Sequence, residues 1–243
     1  MASARPAPAL AAVILDLDGV IADSHPLHEQ AWKILLAEQG VALAGVKLDF
    51  LYAGRSRREI LRHYLGPLPE EKMESLGRRK DELYARIAHT LRPKPGLLRL
   101  LDELEAAGIA FALGTCAGRK RSEDTLRQFG IRERFATVLT REDVSSPKPT
   151  PEIFLLTAAR LNVEPSQVVV IEDSVAGIEA ACAAGMKCVA YVPQARLAEV
   201  VDAGAHGVIT EFPQPAVEFF LRLIEADAAP KFSSTHAVQR GRG

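Results

Sequence analysis

The stretch AAVILDLDG, residues 11–19, decides the fold of this chain. Residues 11–17, AAVILDL, form a short buried-strand pattern that opens with the continuous apolar run 11–15, typical of a parallel strand that is covered on both faces. Asp16 and Asp18 stand at the end of this run, and Gly19 permits a sharp turn behind them. Strand periodicity points both acids to one side, where two carboxylates about 4 Å apart repel by roughly 4 kcal/mol at an effective dielectric near 20. The pair therefore predicts a cation site, although acids that only solubilise a strand end are the alternative.

Strand and helix patterns alternate along most of the remaining chain. Further short apolar runs predict strands at 109–114, 168–171, 187–191 and 208–210. Helical periodicity predicts helices at 96–107, 121–129, 151–161 and 175–184. This alternation predicts an α/β fold with a doubly wound, parallel, Rossmann-like sheet.

Residues 24–92 interrupt this rhythm with helical patterns and almost no strand pattern. Helices are expected there at 28–39, 56–64 and 70–89, and RPKPG at 92–96 then predicts a stiff hinge. We expect a helical lobe at 24–92 inserted into a core of 10–23 and 93–227, with loose tails at 1–9 and 228–243. A helical side layer of a single domain is the alternative.

Composition excludes several classes of protein. The 243 residues are 48% hydrophobic and 25% charged, which is typical of a soluble globular protein and excludes wholesale disorder. Thirty basic against 31 acidic residues give a formal charge of −1, so no basic field favours nucleic acid or an acidic membrane. The apolar run at 9–15 is far shorter than a membrane span and ends in acids, unlike a secretory signal. Three cysteines without a CxxC pair predict a reducing compartment, the cytoplasm.

Three further segments place polar residues where a ligand could bind. Thr115 follows a predicted strand, and a hydroxyl with backbone N–H groups at such a turn can hold phosphate. Lys148 is fixed between two prolines and suits a counter-charge for phosphate. Glu172 and Asp173 follow another predicted strand and offer the hard oxygen ligands of Mg²⁺. Each alone also fits an ordinary turn or loop residue, but the carboxyl ends of parallel strands meet at one edge, so we expect them to join Asp16 in one site.

In this order and spacing the segments resemble a known family. DLDGV, LGT, SPKPTPEIF and VIEDSVAGIEAA, within residues 13–192, resemble the four motifs of the haloacid dehalogenase superfamily of aspartyl-phosphate phosphatases and mutases. The resemblance implies a Rossmann-like core with an inserted α-helical cap domain and Mg²⁺ as the cofactor. It implies Asp16 as the nucleophile and Asp18 as the general acid/base. An acid at Asp18 argues against the dehalogenases, because a departing halide needs no proton whereas the oxygen of a phosphate ester does.

The resemblance also implies the binding residues. Thr115 and Lys148 would hold the transferred phosphoryl group, and Cys116 beside them either lines the mouth of the site or only fills space. Asp18 would meet the metal through its backbone carbonyl. The implied metal-binding residues are Asp16, Asp18, Glu172 and Asp173.

Within the superfamily the sequence is most similar to the β-phosphoglucomutase and sugar-phosphate phosphatase group. The similarity lies in SHPLHEQAW at 24–32, GRSR at 54–57 and RKDELY at 79–84. It implies that His28, Arg57 and Lys80 contact the substrate from the cap. The alternatives are a packing role for His28 and solvated faces for Arg57 and Lys80.

We therefore expect a Mg²⁺-dependent phosphatase that hydrolyses a small phosphate monoester, a sugar phosphate, through an aspartyl-phosphate. A phosphosugar mutase of the β-phosphoglucomutase type is the first alternative, because it uses the same core residues and differs in excluding water. A non-catalytic phosphate-binding regulator on the same fold is the second. The expected partner is a small phosphorylated molecule, with no nucleic acid and no membrane, and we expect a monomer.

Overall fold

The computed structural model describes residues 10–43 and 57–225 of the chain. The predicted tails at 1–9 and 228–243 lie outside the described residues. The chain divides into two compact units, one formed by Ala22–Arg92 and the other by the chain on either side of it.

The larger unit is built on a parallel sheet. Its strands are β1 (Ala12–Leu15), β2 (Ala110–Gly114), β3 (Thr137–Leu139), β4 (Val168–Glu172), β5 (Lys187–Tyr191) and β6 (Gly207–Ile209). They form one six-stranded sheet in the order β3-β2-β1-β4-β5-β6, and all pairs are parallel. The prediction of a doubly wound parallel α/β fold is confirmed, and β3 is the strand that the sequence patterns did not predict.

Nine α-helices lie in the described parts of the chain, and none of them is both long and apolar enough to cross a membrane. They are α1 (His25–Glu38), α2 (Arg57–Leu65), α3 (Glu70–Ile87), α4 (Leu97–Ala106), α5 (Arg119–Gln128), α6 (Glu152–Leu161), α7 (Val175–Ala183), α8 (Leu197–Asp202) and α9 (Ala216–Glu225). The seven predicted helices are present with small changes at their ends. The sequence patterns missed α8 and α9.

Strand β1 shows why a continuous apolar run forms the centre of this sheet. Val13 and Leu15 face a cluster that includes residues of α4, α5 and α9, while Ala12 and Ile14 face a cluster with residues of α6, α7 and α8. All four side chains are fully buried. Because helices cover both faces of the sheet, the side chains on both faces of this strand must be apolar.

The strand order reverses between β1 and β4. From β1 the chain proceeds outward through β2 and β3 on one side, and from β4 through β5 and β6 on the other. In open parallel sheets a ligand-binding crevice lies at the carboxyl ends of the strands at such a reversal. Asp16 follows β1 directly and Asp173 follows β4 directly, so the topology brings these two acids to that edge.

The smaller unit is helical and has its own core. Helices α1 and α3 pack against each other, and the buried side chains include Trp32, Leu61 and Tyr84. The two connecting segments of the chain are hydrogen-bonded together. Lys94 N–H donates to the Ile21 carbonyl, and Asp23 N–H donates to the Arg92 carbonyl. The chain thus enters and leaves this unit through two neighbouring segments that are joined by backbone hydrogen bonds.

We predict that Phe220→Ala lowers the free energy of unfolding by about 3–5 kcal/mol, because it empties a fully buried position on α9, which packs against α4. Urea denaturation measures this change. Leu98→Ala on the outer side of α4 is the matched control, since Leu98 is 47% exposed and its loss should cost less than about 0.5 kcal/mol. Equal effects of the two substitutions would contradict this account of the core.

Candidate functional site

The ammonium group of Lys148 joins the ends of three strands. Its Nζ donates to Asp16 Oδ1 at 2.7 Å, to Glu172 Oε1 at 2.5 Å and to the Gly114 carbonyl at 3.0 Å. The side chain of Lys148 is only 5% exposed. Residues from β1, β2, β4 and the loop before α6 therefore meet at one point of the sheet edge.

A closed loop places Lys148 at this point. The carboxylate of Glu152, at the start of α6, accepts hydrogen bonds from the backbone N–H groups of Ser145 and Ser146 at 2.9 and 2.8 Å. These bonds tie the two ends of the loop together around Lys148. The ammonium also lies 4.8 Å from the ring centre of buried Phe154. The rigidity that the two prolines predict is thus reinforced by a side chain.

Glu172 holds the turn that carries Asp173. Its Oε2 accepts hydrogen bonds from the backbone N–H groups of Asp173 and Ser174 at 2.8 and 2.9 Å, and from the Ser174 hydroxyl at 2.9 Å. Its other oxygen accepts from Lys148. Both oxygens are therefore engaged, which favours a positioning role for Glu172, and its direct metal ligation stays a prediction.

The electrostatics of Asp16 follow from burial among other acids. Burial raises the pKa of Asp16 to about 7, because Lys148 offsets only part of the combined effect of burial and of repulsion from Glu172, Asp173 and Asp18. Burial alone would lower the pKa of Lys148, but the carboxylates of Asp16 and Glu172 outweigh it and raise that pKa. The ammonium is therefore a permanent positive charge at neutral pH.

Asp18 has a partner that the sequence analysis did not identify. Arg121 donates from Nη1 to Asp18 Oδ1 at 2.7 Å and from Nη2 to Asp18 Oδ2 at 2.6 Å. Asp18 and Asp16 thus face different cations, although the backbone N–H of Asp18 donates to Asp16 Oδ2 at 3.0 Å. The only sequence signal for this contact is the basic triplet RKR at 119–121, which does not show which of its members turns inward.

Thr115 and Cys116 lie at the same edge, directly after β2. Thr115 is 1% exposed, and its hydroxyl accepts the N–H of Ala117 at 3.1 Å while keeping its own proton for donation. Cys116 is exposed and is a free thiol. Both residues stand next to Gly114, whose carbonyl binds Lys148.

The donor set of this edge fits a hard divalent cation. The carboxyl groups of Asp16, Asp18, Glu172 and Asp173 lie at this edge and offer oxygen atoms only, and burial beside other acids disfavours the charge of Asp16. No group of three or more acidic, His or Cys side chains forms a ready metal cage within 10–43 and 57–225. Mg²⁺ does not need one, because it binds through one or two carboxylates and keeps several waters.

In the helical unit the structure joins two of the three predicted substrate residues. Lys80 Nζ lies 2.7 Å from His28 Nδ1, and the His28 ring stacks on Tyr84 with 4.4 Å between the ring centres. Lys80 is 7% exposed, so the alternative of a solvated face is wrong for this residue. Arg57 instead forms an exposed ion pair with both oxygens of Asp81, at 2.8 and 2.9 Å. The neighbouring stretch 54–56 lies outside the described residues.

Comparison with known proteins gives consistent matches. The family model described as haloacid dehalogenase-like hydrolase matches residues 13–191. The chain is 33% identical to a phosphorylated carbohydrates phosphatase of Thermotoga maritima over 72% of this chain and 82% of that protein. It is 34% identical to a β-phosphoglucomutase of Bacillus subtilis over 72% and 80%. A solved β-phosphoglucomutase from Clostridium difficile, 28% identical, superimposes with a TM-score of 0.74 over 88% of this chain and 97% of that one.

We predict that Gly177→Ala destabilises the protein by roughly 3 kcal/mol and displaces the Glu172 carboxylate. A Cβ atom at Gly177 would lie 1.9 Å from the carboxyl carbon of Glu172, which is itself held by several hydrogen bonds. Urea denaturation measures the change. Gly77→Ala is the matched control in another helix, because its Cβ would meet the flexible, half-exposed end of Arg57. Should Gly177→Ala be tolerated as well as Gly77→Ala, the close approach to Glu172 is not real.

We predict a pH-dependent gain in stability from Asp16→Asn in the metal-free protein. The pKa of Asp16 is about 7 in the folded protein and near 3.8 in the unfolded chain, so between pH 4 and 7 the unfolded chain releases a proton that the folded one keeps. The wild type therefore loses stability as pH rises through this window, and the asparagine variant does not share that loss. Thermal unfolding in a chelator should show a variant-minus-wild-type difference that grows from pH 4 to 8, with Asp202→Asn as an exposed control. A difference independent of pH would refute the assignment.

Proposed function

The chain belongs to the haloacid dehalogenase-like hydrolase family, and from this premise we propose that it is a Mg²⁺-dependent phosphatase of small sugar phosphates. The contact of Lys148 with Asp16 and Glu172 carries the proposal, because it places a fixed positive charge beside a buried carboxylate. Phosphoryl transfer needs such a positive charge beside the oxygens of the phosphoryl group that is transferred. The sugar-phosphate class rests on the likeness to the phosphorylated carbohydrates phosphatase.

In the first step an oxygen of Asp16 attacks phosphorus, and the bond between phosphorus and the leaving oxygen breaks. Asp18 gives its proton to that oxygen as it departs, which contributes roughly 10²–10⁴-fold. Lys148 and the Thr115 hydroxyl bind the oxygens of the phosphoryl group. The products of this step are the free alcohol and an aspartyl-phosphate on Asp16.

In the second step water attacks the phosphorus of the aspartyl-phosphate. Asp18, now ionised, accepts a proton from the water, and the bond to the Asp16 oxygen breaks. Inorganic phosphate leaves and Asp16 returns to its carboxylate form. The same two aspartates thus serve both steps: Asp16 forms and then breaks the bond to phosphorus, and Asp18 changes from proton donor to proton acceptor.

Mg²⁺, when bound, supplies positive charge that offsets the carboxylates and the incoming phosphate. The residues that would hold it are Asp16, Asp173 and the backbone carbonyl of Asp18. The oxygen-only donor set and the raised pKa of Asp16 support this choice. Arg196 donates to the Asp173 carbonyl at 2.9 Å and would thereby stabilise the turn that carries Asp173.

We propose that the helical unit is the cap and recognises the substrate through His28, Lys80 and Arg57. The buried contact of Lys80 with His28 supports a functional role for this polar pair, because burying an ammonium group costs free energy. Arg57 is the weaker candidate, since its guanidinium is engaged by Asp81.

A phosphosugar mutase is the second candidate, favoured by the 34% identity to β-phosphoglucomutase. The first step would be shared, and the aspartyl-phosphate would pass its phosphoryl group to a second sugar hydroxyl instead of water.

We place the protein in the cytoplasm as a monomer that acts on a small molecule. Its free cysteines support the reducing compartment.

We predict Mg²⁺-dependent release of inorganic phosphate from a panel of fructose 1-phosphate, β-glucose 1-phosphate, glucose 6-phosphate, mannose 6-phosphate and ribose 5-phosphate. Asp16→Asn should abolish release while the protein stays folded, because an amide cannot form the acyl phosphate. Chelation should abolish release from the wild type, and added Mg²⁺ should restore it. The steady-state rate for each compound is the measurement.

Three outcomes would redirect the assignment. Conversion of β-glucose 1-phosphate to glucose 6-phosphate with a bisphosphate primer, without phosphate release, would establish the mutase. Tight binding of phosphate compounds without either reaction would favour the non-catalytic regulator. Full activity of Asp16→Asn would overturn the mechanism itself.

A further inference from the structure

Glu152 closes the loop that carries Lys148. Its two carboxylate oxygens accept separate hydrogen bonds from the backbone N–H groups of Ser145 and Ser146, at 2.9 and 2.8 Å. These bonds lower the pKa of Glu152 below its ordinary value, so the acceptor is ionised at neutral pH. Hydrogen bonds to an ionised carboxylate are about twice as strong as those between neutral groups. This contact, the Glu152 clamp, therefore fastens residues 145–146 to the start of α6.

The loop needs a side chain to close it, because its own backbone offers few donors. Every second residue from 147 to 151 is a proline and lacks an N–H group. Within the loop, Thr150 N–H donates to the Pro147 carbonyl at 3.1 Å. The Thr150 hydroxyl lies 3.0 and 2.9 Å from the carbonyl oxygens of Ser146 and Pro147. These contacts shape the tip of the loop, and Glu152 joins its two ends.

The ammonium group of Lys148 is held by contacts that the reaction would change. Its Nζ binds the carboxylates of Asp16 and Glu172 and the carbonyl of Gly114. In the proposed first step an oxygen of Asp16 bonds to phosphorus, and the carboxyl group then no longer carries a negative charge. Lys148 thus loses one of two ionic partners at the stage when its charge is needed beside the phosphoryl oxygens. The Glu152 clamp involves none of the atoms that change.

We propose that Glu152 is a positioning residue for Lys148, and that its clamp keeps the ammonium in place while Asp16 is an uncharged acyl group. The inference rests on the proposed phosphatase function and adds a residue to it. Glu152 would act on the reaction only through the loop. Its removal should therefore release Lys148 without loosening the rest of the fold, which separates this role from a general contribution to stability.

The first experiment measures access to the Lys148 amine and needs no turnover. Asp16→Asn removes the charge of Asp16 but keeps the shape of its side chain, so it stands in for the acyl group. We expect Lys148 to stay protected from N-hydroxysuccinimidyl acetate in Asp16→Asn alone, because the clamp remains. In Asp16→Asn/Glu152→Ala, acetylation of Lys148 should be at least about 10-fold faster, because the loop can open locally. Peptide mass spectrometry measures both rates.

Two other groups of the same molecule show whether the change is local. Cys188, fully buried on β5 of the larger unit, should stay unreactive toward iodoacetamide in every variant. Lys120, with a side chain 89% exposed, should be acetylated at the same rate throughout. Faster alkylation of Cys188 in the double variant would show that the whole unit is loosened, and it would overturn the proposal.

Glu218→Ala is the matched control variant. Glu218, like Glu152, lies in the first turn of a ten-residue helix, where an acid interacts favourably with the helix dipole. The carboxylate of Glu218 pairs with Arg222 of its own helix and does not close a loop. In the Asp16→Asn background, Glu218→Ala should leave the acetylation rate of Lys148 unchanged.

The second experiment measures the steady-state kinetics of Glu152→Ala with Asp16 intact. We expect kcat on the best sugar phosphate of the panel to fall about 10-fold or more, because displacement of a reacting group by about 1 Å can cost on the order of 10²-fold. KM should change by less than about 3-fold, since Asp16 still holds Lys148 when substrate binds. Glu152→Gln keeps one carbonyl oxygen as an acceptor and should recover part of the loss.

The outcomes separate the role of Glu152 from the proposed function. Protection of Lys148 in Asp16→Asn/Glu152→Ala, or equal kcat values for Glu152→Ala and Glu218→Ala, would overturn the role of Glu152. If Lys148→Met abolishes phosphate release while Glu152→Ala is fully active, only the positioning role fails. If Lys148→Met retains full activity, the proposed mechanism fails. Urea denaturation of each variant confirms that the fold is retained.

Discussion

The contact of one buried ammonium with two buried carboxylates is the constraint on which this molecule depends. Lys148 binds Asp16, which follows β1, and Glu172, which ends β4, and it also binds the carbonyl of Gly114, the last residue of β2. An unpaired charge at that depth would be costly, and so would either carboxylate without the lysine. The three strand ends and the loop before α6 must therefore assemble together, and the site and the fold become parts of one electrostatic arrangement.

The surroundings of Asp16 stabilise its charged form only in part. Burial and neighbouring acids keep the pKa of Asp16 near 7, so the metal-free protein holds a carboxylate in surroundings that disfavour its charge. A nucleophile must be ionised and must not be fully satisfied by its surroundings. In the proposed mechanism Lys148 favours the ionised form of Asp16 only in part, and a divalent cation would supply the rest.

The sequence predicted the parts of the fold that repeat a strong local pattern. The apolar run of β1 and the acids behind it indicated both the sheet and its functional edge, because strands covered on both faces leave polar residues only at their ends. It did not predict β3, a strand of three residues, or α8, a helix of six, which carry little periodicity, and it also missed the ten-residue helix α9. It also missed the contact of Arg121 with Asp18, because 103 residues separate the partners and a run of three basic residues hides which one turns inward.

The paired backbone at Ile21–Lys94 and Asp23–Arg92 has a consequence for how such proteins diversify. Since the two segments that connect the units are hydrogen-bonded to each other, the helical unit is attached as a loop whose ends are already together. The entropy of closing a loop grows only slowly with its length. Helical units of different size and shape could thus replace one another at this position without any change in the sheet to which they are joined.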